Sequence, residues 1–121
     1  MIQIYGIPNC DSVKKAREWF DVHGISYTFH DYKKQGVPEA LLRQWVKARG
    51  WEVLLNRKGT TWRELDAATK AGVVNGETAI AVMLKHVSTI KRPVITRGDA
   101  LVIGVDVTAL ALLTAGVEGA D

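Results

Sequence analysis

Met1-Ile2-Gln3-Ile4-Tyr5-Gly6-Ile7-Pro8-Asn9-Cys10-Asp11-Ser12-Val13-Lys14-Lys15-Ala16-Arg17 opens the chain, and the reading of this stretch decides the fold. Ile2 and Ile4 alternate with Gln3, the periodicity of a strand, and Gly6 and Pro8 end it. Val13, Ala16 and Phe20 then recur at helical spacing, with Trp19 beside them, so a helix is expected from about Cys10 to His23. Lys14, Lys15, Arg17, Glu18 and Asp21 face outward, and Gly24 stops it. The sole cysteine falls in the first turn of that helix. Unpaired N–H groups and the positive end of the helix dipole favour a thiolate there, and Lys14 adds a cation while Asp11 opposes it. The cations and amides are expected to prevail. Asn9 and Ser12 can cap the helix, support the thiolate, or do both.

Working outward, Ser26-Tyr27-Thr28-Phe29-His30-Asp31 has strand composition, and a strand after a helix implies a parallel βαβ unit. Lys33 to Gly36 form a polar break. Pro38 and Glu39 start a helix that carries Leu41, Leu42, Trp45 and Val46 to Gly50. Trp51 to Leu65 reads as short helical pieces around a glycine loop, whose cations and hydroxyls suit an anion. Asn75-Gly76-Glu77 opens a further helix through Ala79, Ile80, Met83 and Leu84. Ile90 to Thr96 and Ala100 to Gly104, joined by Arg97-Gly98-Asp99, form a β-hairpin. Asp106 caps a last helix, Val107 to Ala115, ended by Gly116, and the tail from Val117 is expected to fray. The order is βαβ, a helical insert over approximately 36–87, then ββα. That is an α/β, thioredoxin-like fold: a mixed four-stranded sheet with helices on both faces, in a single domain spanning 1–121.

With 121 residues, 47% of them hydrophobic, the chain suffices for one domain with a real core. It shows no cationic leader and nothing near the roughly 18 apolar residues of a membrane span, so a cytoplasmic protein without membrane attachment is expected. A single cysteine excludes an internal disulfide and, within one chain, a thiolate zinc cluster; no metal is expected. The net charge of +3 is scattered along the chain, so a nucleic-acid partner is not expected, and a small anionic substrate is enough to explain a local basic patch.

Several blocks resemble the arsenate reductase (ArsC) and Spx family, and within it the YffB-type branch. They are Tyr5-Gly6-Ile7-Pro8-Asn9-Cys10-Asp11-Ser12-Val13-Lys14-Lys15-Ala16, Phe29-His30-Asp31-Tyr32-Lys33-Lys34, Leu54-Leu55-Asn56-Arg57 with Gly59-Thr60-Thr61-Trp62, and Ile90-Lys91-Arg92-Pro93-Val94. The resemblance implies a nucleophile at Cys10 and a cis proline at Pro93 facing it. It implies that the main chain of Arg92 pairs with a thiol substrate as an added strand. It also places Arg92 and Arg57 in an oxyanion site, with Asn56 and Lys58 as neighbouring registers for the second. Arsenate reductases of this kind carry a histidine four residues before the cysteine, a serine three after it, and a third arginine in the strand following the Arg-Pro pair. Here Gly6, Val13 and Ile103-Gly104 stand at those places. Val13 also replaces the second cysteine of the Spx switch.

For Cys10 the plain alternative is a small buried hydrophobe. Its place at a strand-to-helix turn, together with the resemblance, favours chemistry instead. The expected function is a glutathione-linked thiol reductase, with arsenate reduction as a further activity. Cys10 attacks a disulfide or oxyanion centre, and Arg92, Arg57, Lys14, Asn9, Ser12 and the helix start hold the anion. With no second cysteine, glutathione or a glutaredoxin-type thiol must regenerate Cys10. No bound cofactor is expected, glutathione being a co-substrate, and the chain is expected to work as a monomer. The rival is an Spx-like regulator that docks on RNA polymerase or another protein, with Cys10 as a redox sensor. His30 is expected to be structural, as are Trp45, Trp51 and Trp62.

Overall fold

The computed structural model describes residues 1–117, which form two compact units: Met1–Gly36 with the chain from Arg92 onward, and Val37–Lys91. The first unit holds a four-stranded sheet. Strand β1 (Ile2–Gly6) lies between β2 (Thr28–Asp31), parallel to it, and β3 (Val94–Arg97), antiparallel; β4 (Ala100–Ile103) completes the order β2-β1-β3-β4. The register sets Tyr5 opposite both His30 and Val94, and Gly6 opposite Asp31. Helix α1 (Asp11–Val22) returns from β1 to β2, the short α2 (Tyr32–Gln35) follows β2, and a terminal helix (Val107–Leu113) follows β4.

Alternation along the strands sorts their side chains between two faces. Ile2, Ile4, Ile95 and Val102 pack with Ala16 and Phe20 of α1 and with Leu110 and Leu113 of the terminal helix in one buried cluster. Gln3 and Tyr5 point the other way. The Phe20 ring meets Trp19 edge-on at 5.3 Å and Tyr27 at 5.5 Å. Arg97 ties β3 to the terminal helix: its Nη1 donates to the carbonyls of Leu113 at 2.9 Å and Ala115 at 2.8 Å, acceptors that a helix end leaves unpaired.

The second unit is helical: α3 (Glu39–Arg49), α4 (Trp51–Leu54), α5 (Thr60–Glu64), α6 (Ala67–Ala71), α7 (Gly76–Lys85) and a 3-10 turn (Val87–Thr89); the terminal helix is α8. Leu42, Trp45, Leu54, Ala79, Ile80 and Met83 are buried. Asn75 and Thr78 start α7 with reciprocal side-chain-to-backbone hydrogen bonds, which satisfy donors a helix start otherwise exposes.

The elements arrive in the order read from the sequence, with local corrections. The second strand begins at Thr28, not Ser26, because Gly24 turns in the left-handed region (φ 63°) and Tyr27 folds inward onto Phe20. Residues 32–35 are a helical turn and not a break; the Asp31 carboxylate caps it by accepting from the Lys33 N–H at 2.8 Å. Ile90 does not belong to the sheet. It bridges Leu55, and Lys91 donates to the Leu54 carbonyl at 2.7 Å, so β3 starts only at Val94. Helix α8 stops at Leu113, where Thr114 turns its hydroxyl back to the Leu110 carbonyl at 2.8 Å. The tail expected to fray lies outside the described residues from position 118; Val117 itself packs against the core. Among the described residues no helix is long and apolar enough to cross a membrane.

Candidate functional site

The site follows from the topology of the first unit. Parallel β1 and β2 deliver their carboxyl ends to one edge of the sheet, and antiparallel β3 begins at that same edge. From Gly6 the chain runs through Ile7, Pro8 and Asn9 to Cys10, which is the N-cap of α1 in extended conformation (φ −135°, ψ 126°). Its carbonyl accepts from the Lys14 N–H at 2.9 Å, closing the first helical turn, and the thiol, in no disulfide, is partly exposed. From the other side comes Arg92, followed by a cis Arg92–Pro93 bond; Pro93 is buried, and its carbonyl accepts from the Gly104 N–H at 2.8 Å.

Burial pushes the Cys10 thiol up, and it is the largest single influence. It is outweighed by the backbone donor at Val13, the Arg92 guanidinium acting as hydrogen-bond donor and as charge, and the backbone donor at Ser12. The net result lies below the ordinary thiol value, the condition a nucleophilic cysteine needs. No strict side-chain capping bond ties the sulfur to the helix, so the thiolate faces those donors without being locked to one of them.

The other expected site residues divide. The cation that lowers the Cys10 thiol is Arg92; Lys14 is exposed, and its Nζ donates to Asn9 Oδ1 at 3.4 Å. That contact also occupies Asn9, and the exposed Ser12 contributes its backbone instead of its hydroxyl, so neither side chain caps α1. Arg92, entering just ahead of β3, supplies the guanidinium that acts on the sulfur as donor and as charge. Arg57 lies in the second unit, exposed, with its guanidinium 5.4 Å from the Trp51 ring centroid. Beside it, Asn56 accepts on Oδ1 from the Lys58 N–H at 3.1 Å, closing the loop on itself.

His30 serves the sheet. Its ring stacks on Tyr5 at 4.5 Å, and Nε2 donates to Gln3 Oε1 at 2.6 Å. Tyr5 is buried, hydrogen-bonds Thr96, and is held above the ordinary phenol range chiefly by desolvation. Sequence reasoning passed over Tyr32, which is 2% exposed at the same edge as Cys10. Its signal was an aromatic residue directly after a strand that runs parallel to the cysteine-bearing one. Among the described residues, no three His, Cys, Asp or Glu side chains gather as metal ligands.

Gly6 and Val13, the two departures before and after the cysteine, prove to be one contact. A Cβ at position 6 would stand 2.7 Å from Val13 Cγ2, closer than packed carbons tolerate. Gly6→Ala is therefore expected to cost about 1–3 kcal/mol in urea unfolding. Combining it with Val13→Ala, which removes the opposing methyl, should show a favourable interaction of about 0.5–3 kcal/mol in a double-mutant cycle. Simple additivity of the two changes would refute the contact.

The ArsC family model matches residues 5–111. A Haemophilus influenzae protein is 41% identical over 104 residues, covering 86% of this chain and 90% of the relative. The solved structure of a protein named YffB is 44% identical, with a TM-score of 0.91, covering 95% of this chain and all of that one (100%). An arsenate reductase (ArsC) related protein from Brucella melitensis is 43% identical, with a TM-score of 0.72, covering 94% of each chain. With its thioredoxin-like sheet, its lone cysteine at a helix start and an arginine drawn over that sulfur, the chain belongs to the ArsC family.

Proposed function

We propose that the protein is a glutathione-linked thiol reductase of this family, working in the cytoplasm. The observation that carries the reading is the lowered Cys10 thiol, held by the Ser12 and Val13 backbone donors and by Arg92. The Cys10 thiolate attacks one sulfur of a glutathione mixed disulfide; the S–S bond breaks, the partner sulfur leaves as a thiolate, and Cys10 carries glutathione. A second glutathione thiolate, or a glutaredoxin-type thiol, then attacks that new bond, releasing oxidised glutathione or a glutathionylated carrier and restoring Cys10. The external thiol is required because the chain has no other cysteine. In this scheme Arg92 stabilises sulfur charge through its guanidinium, and its main chain pairs with the peptide backbone of glutathione.

Incubation with oxidised glutathione followed by intact-mass measurement tests the reading. The expected product is one glutathione adduct, lost in Cys10→Ser and reversed by reduced glutathione. Turnover on small disulfides and on arsenate then ranks substrates. Failure to form any adduct sinks the proposal and leaves a docking protein, for which Cys10→Ser would retain partner affinity.

A further inference from the structure

Three segments meet at one edge of the sheet, and the chemistry described so far uses two of them: the β1 exit that leads to Cys10 and the β3 start that brings Arg92. The third is the β2 exit. Asp31 pairs with Gly6, and the next residue is Tyr32, whose side chain is 2% exposed. Among the described residues no group hydrogen-bonds its hydroxyl. A buried hydroxyl without a partner is costly, and phenylalanine would fill the same volume without that cost, so the oxygen calls for an account. Burial pushes this phenol far above its ordinary range, the neighbouring Tyr5 adds to the push, and Arg92 opposes it. Tyr32 therefore stays protonated at neutral pH, a fixed O–H donor within the electrostatic reach of Arg92.

We propose that Tyr32 is the neutral donor of an anion subsite headed by Arg92, its hydroxyl and the guanidinium both receiving oxygens of a bound oxyanion or carboxylate next to the Cys10 sulfur. The inference rests on Cys10 and Arg92 being the reacting pair. A charged donor alone attracts any anion. A neutral donor in a dry wall adds direction, because an anion that offers it no acceptor leaves it unpaired.

The test is alkylation of Cys10 by neutral iodoacetamide in wild type and Tyr32→Phe. Sodium sulfate is titrated in one arm and S-methylglutathione, which cannot form a disulfide, in the other, against sodium chloride at matched ionic strength. At least one anion should slow wild-type alkylation, and Tyr32→Phe should raise the concentration for half-protection by about tenfold to a hundredfold. Half-protection is read relative to each protein's own anion-free rate, and the melting temperature should hold or rise. Loss in the sulfate arm alone identifies a free oxyanion as the occupant; loss in the other arm alone identifies a peptide carboxylate. In wild type, the ring-carbon NMR resonance of Tyr32 should shift along the same titration, a reading independent of how the variant folds. Equal half-protection in both proteins, no protection of wild type by either anion, or a motionless Tyr32 resonance overturns the inference. Tyr32-dependent protection without any glutathione adduct would remove the reductase reading and leave this one standing.

Discussion

Arg92→Ala is expected to lower glutathione-dependent turnover about a hundredfold, the usual cost of removing one donor from developing charge in a catalytic site. The change strips both a hydrogen bond and a positive charge from the Cys10 sulfur, while burial, the largest influence and an upward one, stays in place. The thiol should therefore titrate at higher pH in the variant. In wild type the iodoacetamide rate should climb with pH and level off once the lowered pKa is passed; in Arg92→Ala the same curve should be displaced to higher pH. The linkage has a definite sign. A thiol whose folded pKa lies below its unfolded one contributes stability that is present above the unfolded pKa, about 8.5, and is lost as pH falls through the folded value. Arg92→Ala should thus flatten the stability gained on going from neutral to alkaline pH. Superimposable pH–rate profiles for the two proteins would show that Arg92 does not govern the sulfur.

Phe20→Ala should cost about 3–5 kcal/mol, the range for truncating a buried aromatic and leaving a cavity. The ring is fully buried, at 0% exposure, with edge contacts to Trp19 and Tyr27, in the cluster that fastens α1 and α8 to Ile2, Ile4 and Ile95. Against a total stability of about 5–15 kcal/mol the loss is a large share, and melting should fall by roughly 10–20 °C. Because Phe20 holds the helix that carries Cys10 as its N-cap, Cys10 alkylation should lose its pH shift at temperatures below the global melt. A melting change of only a few degrees would mean that the core closes over the gap.

The N-terminal βα unit was legible because its signals are local. Alternation in Ile2-Gln3-Ile4, the Gly6 and Pro8 breaks and the spacing of Val13, Ala16 and Phe20 do not depend on the rest of the chain, and they sufficed to place Cys10 at a helix start. The limits of β3 were not legible, because Ile90 has strand composition yet pairs with Leu55, a partner far away in sequence. Lys14 was expected to add a cation to the helix-start amides on helical spacing, and spacing does not show where the ammonium of a long side chain finds its partner, here Asn9. Arg92 was reachable only through the family resemblance, since nothing near position 92 announces a neighbour at position 10. Tyr32 escaped because an aromatic after a strand reads as core, and only the unpaired hydroxyl distinguishes it.

The closeness of Gly6 to Val13 also orders the routes by which this sequence can change. A histidine at position 6, as the arsenate-reducing pattern has it, brings a Cβ that crowds the valine, so the larger residue costs less once position 13 has shrunk, for instance to serine. The reverse order passes through a misfit intermediate. A redesign that places a side chain at position 6 should therefore begin at Val13.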